Sequence, residues 1–172
     1  EGMPGSTTVI VYVVHGLAYV AWVGDSRAYL VRDNKVVERT RDHKLIEDLI
    51  EAGQLTRQEA QSSALAHVVT RALGGRGVAE PPVRAATLHH PWALKTSDRI
   101  MVCSDGVCDL IDDDEIPDLI NGEPEAAVAT LVDLALDRGG HDNITTIVAR
   151  WDGEDVEQPE GSNTPGFGEF RG

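Results

Sequence analysis

An α+β fold, with antiparallel sheets carrying helices on their faces, is predicted from three observations. Short apolar runs rich in β-branched residues open the chain and follow one another at hairpin distance. The apolar spacing then lengthens to a helical one. Strand-like and helical stretches alternate once more to the end, in the order strands, helices, strands, helices, strand. Connections of hairpin length among the first strands argue against a parallel, doubly wound sheet, which needs long crossovers.

Each element has its own signal. Ser6 to His15 is almost continuously apolar and predicts a strand buried on both faces. His15-Gly16 turns into a second strand over 17–23; after Gly24-Asp25 a third runs over 26–33. Asp33-Asn34 turns into 35–39, which makes the start a β-meander. Leu45, Ile46, Leu49 and Ile50 fall at helical spacing, with Gly53 placed to stop the helix. Thr56 to Glu59 is a capping-box pattern opening a further helix that runs, with breaks, towards Leu73. Residues 83–90 and 99–104 predict strands, and Asp112 to Glu115 predicts the acidic N-cap of a short helix holding Ile116, Leu119 and Ile120. Pro124 starts a helix whose Val128, Leu131 and Ala135 share a face, and residues 144–151 form the last strand.

The chain has 172 residues, with 15 basic against 29 acidic side chains and a formal charge of −14. That length holds one domain with a core, here residues 1–151, followed by an acidic Gly/Pro-rich tail over 152–172. The charge opposes binding to a nucleic-acid backbone and favours multivalent cations. No apolar run reaches the ~20 residues of a membrane span, and the first residues lack the basic flank of a signal peptide. Cys103 and Cys108 cannot build a disulfide framework, so a cytoplasmic setting is expected. Between Ile100 and Asp137 lie eleven Asp or Glu and no Lys or Arg.

Three segments place an Asp beside Gly or Asn at the edge of an apolar strand: Gly24-Asp25-Ser26-Arg27, Ser104-Asp105-Gly106 with Asp109 beyond it, and His141-Asp142-Asn143. Carboxylates at strand ends, without Cys or paired His, favour hard ions such as magnesium or manganese over zinc. Two such ions side by side can activate water and clamp a phosphoryl group.

These segments occur in order with Thr40-Arg41-Asp42-His43 and Thr70-Arg71-Ala72-Leu73-Gly74. Together they resemble the metal-dependent serine/threonine phosphatases of type 2C, in the bacterial style, over about Gly5 to Arg150. The resemblance implies an αββα sandwich and hydrolysis of phosphoserine and phosphothreonine esters on phosphorylated proteins. It implies two Mn2+ or Mg2+ ions, with Asp105 and Asp142 as ligands, and in some members a third, weaker ion near Asp25 and Asp109. Gly106, Asn143, His141, Arg27 and Ser104 stand beside these as supporting residues, and Lys44 to Leu73 corresponds to a flap beside the site.

The family's N-terminal portion, with its phosphate-binding Arg and further metal ligands, has no counterpart upstream of Gly5. Glu1-Gly2-Met3-Pro4-Gly5 echoes one of its motifs superficially. The expectation is therefore an incomplete catalytic domain, completed by a longer polypeptide, a partner or self-association. A non-catalytic, partner-binding half-domain is the alternative. An acidic calcium module ranks last, since Asp112 to Glu115 lacks the glycine and spacing of a calcium loop. His43 is expected to position its turn, Arg27 and Arg71 to serve as ion-pair partners, and Trp22, Trp92 and Trp151 to pack.

Overall fold

The computed structural model describes residues 5–61, 63, 65, 67–74, 86–87 and 90–157. β1 (Gly5–Ser6) leads through Thr7 into β2 (Thr8–Val14), which turns into β3 (Leu17–Val23); β4 (Arg27–Arg32) turns into β5 (Lys35–Arg39). Both turns put two successive residues at positive φ, 50° and 72° at His15-Gly16 and 49° and 56° at Asp33-Asn34. That is the two-residue turn whose twist matches a right-handed hairpin.

α1 (Leu45–Glu51) buries Ile46 and ends before Gly53, at φ 67°. α2 (Arg57–Gln61) opens with the predicted capping box: Thr56 N–H donates to Glu59 Oε2 at 2.9 Å and Glu59 N–H to Thr56 Oγ1 at 3.3 Å. The expected continuation towards Leu73 is not made. Val68, Val69 and Thr70 are β-branched and poor in a helix, and their backbone is used elsewhere. Leu45 N–H donates to Val68 O at 2.8 Å, Thr70 N–H to His43 O at 2.7 Å, and β6 (Leu73–Gly74) pairs with β1.

Of the strand expected over 83–90, β7 (Ala86–Thr87) is described and pairs with β3; residues 83–85 and 88–89 lie outside the described residues. β8 (Trp92–Ala93) also pairs with β3 and is too short to show alternation in sequence. β9 (Arg99–Cys103) runs into α3 (Asp105–Cys108), then α4 (Ile116–Leu119), α5 (Pro124–Asp137) and β10 (Thr146–Arg150).

Two larger antiparallel sheets result beside the short β1–β6 pair: β10–β9–β4–β5, and β2–β3 with β7 and β8 on the far side of β3. Strand alternation divides the core in two. Tyr29, Val31, Met101 and Cys103 meet the helices at Val107, Ile116 and Leu131, whereas Ala28, Leu30 and Ile100 meet Ala18, Val20 and Trp22 of the other sheet. Fully buried side chains such as Leu131 on α5 contribute about 1.5–3 kcal/mol each.

Three further expectations are corrected. The strand within Ser6 to His15 is not buried on both faces: Ile10 and Tyr12 are 57% and 63% exposed, as is Tyr19 beside them on β3 at 45%, because no described residue covers that side of β2 and β3. The acidic run does not cap α4 through its side chains. Asp113 instead accepts a hydrogen bond from Tyr29 Oη at 2.9 Å and pairs with Arg27 and Arg39, while Glu115 forks onto Arg138. Nor does solvated chain begin at Asp152. Val156 N–H donates to Leu94 O at 2.8 Å and Thr96 N–H to Asp155 Oδ1 at 2.7 Å, which ties residues 152–157 to the folded body; the rest of the predicted tail lies outside the described residues.

Candidate metal centre

The segments singled out in the sequence emerge at one end of both sheets. In the pairing register Arg27 faces Cys103, Cys103 faces Thr146, and Thr8 faces Val23. Asp25 after β3, Asp42 after β5, Asp105 after β9 and Asp142 before β10 therefore leave the sheets on the same side.

Asp105 stands in the first turn of α3 and Asp142 in the loop before β10. Ser104 locks these two segments together. Its N–H donates to Thr145 O at 3.0 Å, its Oγ donates to Asn143 O at 2.8 Å, and Thr145 N–H donates back to that Oγ at 3.1 Å. Gly106 permits the approach: a Cβ built there would lie 2.5 Å from Asn143 O. Asp105 Oδ1 accepts from Gly106 N–H at 2.9 Å and Asp142 Oδ1 from Asn143 N–H at 2.6 Å. Among the described residues the second oxygen of each receives no hydrogen bond. Burial raises the Asp105 carboxyl above the usual carboxylate range, reinforced by the charges of Asp25, Asp142 and Asp109 and opposed by the Gly106 N–H.

Asp25 is 4% exposed and lies in a different electrostatic setting. Lys44 Nζ is 3.2 Å from Asp25 Oδ2, 3.1 Å from Asp109 Oδ1 and 3.9 Å from Asp42 Oδ2. Burial opposes the ammonium, but Asp109, Asp25 and Asp42 outweigh it and hold Lys44 above the usual lysine range. Asp42 is chiefly committed to Arg27, whose Nε and second terminal nitrogen each donate to it at 2.7 Å. Arg27 thus serves an ion pair in this structure, consistent with the geometry a bidentate carboxylate requires. Gly24, at φ 105°, has no room for a Cβ, since Thr7 Cγ2 would lie against it; Thr7 Oγ1 and Ser26 Oγ are 3.0 Å apart.

His43 accepts Gly24 N–H at Nδ1 over 3.1 Å and stacks on Trp22 at a centroid distance of 5.9 Å. Burial and the charge of Arg71 lower its pKa, in keeping with a neutral imidazole that accepts at Nδ1. Cys108 is buried, its Sγ 4.0 Å from Asp25 O. His141 is exposed and packs near Gly139. Lys44 carried no signal of its own in the sequence. It follows the Arg-Asp-His turn as a single base with no period, and only the fold shows that its ammonium reaches Asp25 and Asp109.

Asp105 and Asp142 have the chemistry for a hard divalent ion: two carboxylates on neighbouring, locked segments, each with an oxygen uncommitted to a described donor and, among the described residues, no ion-pair partner. They are not a sufficient donor set. Among the described residues no group of three His, Cys, Asp or Glu side chains is gathered so as to hold an ion. Asp25 and Asp109 already share an ammonium.

Comparison with known proteins gives a consistent result. The family profile of protein phosphatase 2C matches residues 2–144. The serine/threonine protein phosphatase PstP of Mycobacterium tuberculosis is 36% identical over 151 residues, covering 87% of this chain and 28% of PstP. Protein phosphatase PhpP of Streptococcus pneumoniae is 31% identical over 155 residues, covering 89% of this chain and 61% of PhpP. The chain therefore spans less than two thirds of either relative. The crystal structure of the Mycobacterium tuberculosis phosphatase PstP/Ppp superposes with a TM-score of 0.75 at 28% identity, over 87% of this chain and 61% of that one. The PstP catalytic domain in complex with two manganese ions superposes with a TM-score of 0.65 at 28% identity, over 89% and 60%.

Proposed function

Since the chain belongs to the protein phosphatase 2C family, we propose that it is the metal-binding part of a protein serine/threonine phosphatase that hydrolyses phosphoserine and phosphothreonine esters with Mn2+ or Mg2+. The juxtaposition of Asp105 and Asp142, at the ends of paired strands and locked by Ser104 and Gly106, carries this reading. Bound divalent ions would supply activation of water and neutralisation of phosphoryl charge.

The chain's own residues do the holding. Asp105 and Asp142 donate oxygens, Gly106 and Asn143 N–H groups fix the orientation of those carboxylates, and Ser104 sets their spacing. Cys103 and Cys108, the two thiols near the site, are both buried, which disfavours a cysteine nucleophile. Lys44 and His67, from the segment over 44–73, reach Asp25 and Asp109, which supports a part for that segment in selecting the phosphoprotein.

The shortage of donors and the uncovered outer face of β2 and β3 among the described residues support a further part of the reading: full activity requires residues supplied by more polypeptide, a partner or a second copy. The same two observations favour the alternative, a phosphatase-like half-domain that binds a partner without turnover. A cytoplasmic site of action fits the buried, free thiols of Cys103 and Cys108.

Manganese-dependent hydrolysis of a small aryl phosphate tests the proposal, with calorimetric Mn2+ titration alongside. Asp105→Asn and Asp142→Asn are each expected to weaken Mn2+ binding and to lower turnover about a hundredfold or more, since each removes an anionic ligand. Turnover and binding unchanged by both substitutions would refute the assignment. Mn2+ binding without turnover would select the half-domain.

A further inference from the structure

We propose that the Lys44 ammonium is the resident cation of the Asp25–Asp109 pair and keeps a divalent ion out of it. The inference deepens the metal reading above, on which the identity of the excluded ion rests. Lys44 Nζ lies 3.2 Å from Asp25 Oδ2 and 3.1 Å from Asp109 Oδ1, so it joins a carboxylate from the bend after β3 to one at the C-cap of α3. Asp42 is less available to it, at 3.9 Å, because Arg27 already takes both Asp42 oxygens. The lysine side chain is 6% exposed, as is that of Asp25.

An ion entering between Asp25 and Asp109 would have to displace the ammonium and leave it buried with only Asp42, whose two oxygens Arg27 already takes, as a counter-charge, which is unfavourable. The backbone makes displacement harder. Lys44 bridges Val69, Leu45 N–H donates to Val68 O at 2.8 Å, and Thr70 N–H donates to His43 O at 2.7 Å. These contacts close the neck of the 44–73 segment, so the lysine is clamped at its base while its tip holds the acids. Lys44 is in this sense a positioning residue that ties the neck of that segment to Asp25 and Asp109.

Reductive methylation of the wild-type chain, read by peptide mass spectrometry with and without saturating Mn2+, tests this without a variant. Lys35 and Lys95 are exposed and serve as internal references. Lys44 is expected to react about tenfold more slowly than they do, or slower still, in both conditions, because modification requires local opening. Reaction of Lys44 at the reference rate without metal, or acceleration to that rate by Mn2+, would overturn the proposal. Calorimetry supplies a second arm: Lys44→Ser is expected to bind one Mn2+ more than wild type, and Asp25→Asn in that background to abolish the extra ion. Equal counts in wild type and Lys44→Ser would overturn it. Asp105→Asn separates the two claims, since it is expected to weaken the wild-type site and leave the ion gained by Lys44→Ser.

Discussion

Gly106→Ala is the sharpest probe of how the two strand-end acids are held together. Gly106 has an ordinary helical backbone, so its importance is a matter of space. An added Cβ would meet Asn143 O at 2.5 Å, Asn143 C at 3.0 Å and Asp142 C at 3.4 Å. All three are backbone atoms and cannot rotate aside, so α3 and the loop before β10 must separate by nearly an ångström. Overpacking of this kind costs about 1–3 kcal/mol. A displacement of about 1 Å at a reacting or ligating position costs on the order of a hundredfold in function. Urea unfolding and Mn2+ titration of Gly106→Ala read the two effects separately. Gly122→Ala is the control, because its Cβ would meet nothing within 4 Å. A Gly106→Ala chain with the urea midpoint and the Mn2+ affinity of that control would refute the claim that this contact sets the spacing of Asp105 and Asp142.

Asp42→Ala is expected to destabilise the fold by about 3 kcal/mol, since it takes the bidentate partner from the largely buried Arg27 guanidinium and leaves it the longer contact to Asp113; a urea midpoint within error of wild type would contradict this. Glu38 provides a pH signature. Burial pushes its carboxyl up to about 7, only partly offset by Arg32. A carboxyl raised on folding binds more protons in the folded state between its unfolded and folded pKa values, so it favours folding less as pH rises from about 4.5 to about 7. Relative to Glu38→Gln, wild type is expected to lose up to about 3 kcal/mol between pH 4 and pH 8. Parallel stability profiles for the two proteins would contradict it.

Much of the fold was legible because its signals are local. The hairpin turns at His15-Gly16 and Asp33-Asn34, the capping box at Thr56 and the proline start at Pro124 each act within a few residues, and the structure uses all four. What escaped depends on contacts distant in sequence. The burial of β2 is decided by what lies over it, so an apolar run alone could not reveal an open face. Asp113 and Glu115 resembled capping acids until the fold brought Arg27, Arg39 and Arg138 to them. At the site, the pairing of β9 with β10 explains why Ser104-Asp105-Gly106 and Asp142-Asn143 are neighbours. Lys44 was illegible for the opposite reason: its partners Asp25 and Asp109 come from segments on either side of it, and nothing in its local context marks it.

The Trp22–His43 stack gives the chain an optical reporter. The indole Nε1 donates to Arg41 O at 2.6 Å, and the ring lies 5° from parallel to an imidazole flanked by Asp42 and Lys44. Trp92 sits opposite Ala18, at the other end of β3. Trp22 emission should therefore follow movement of the 41–44 turn, making fluorescence a direct readout of how that corner answers a titration with Mn2+.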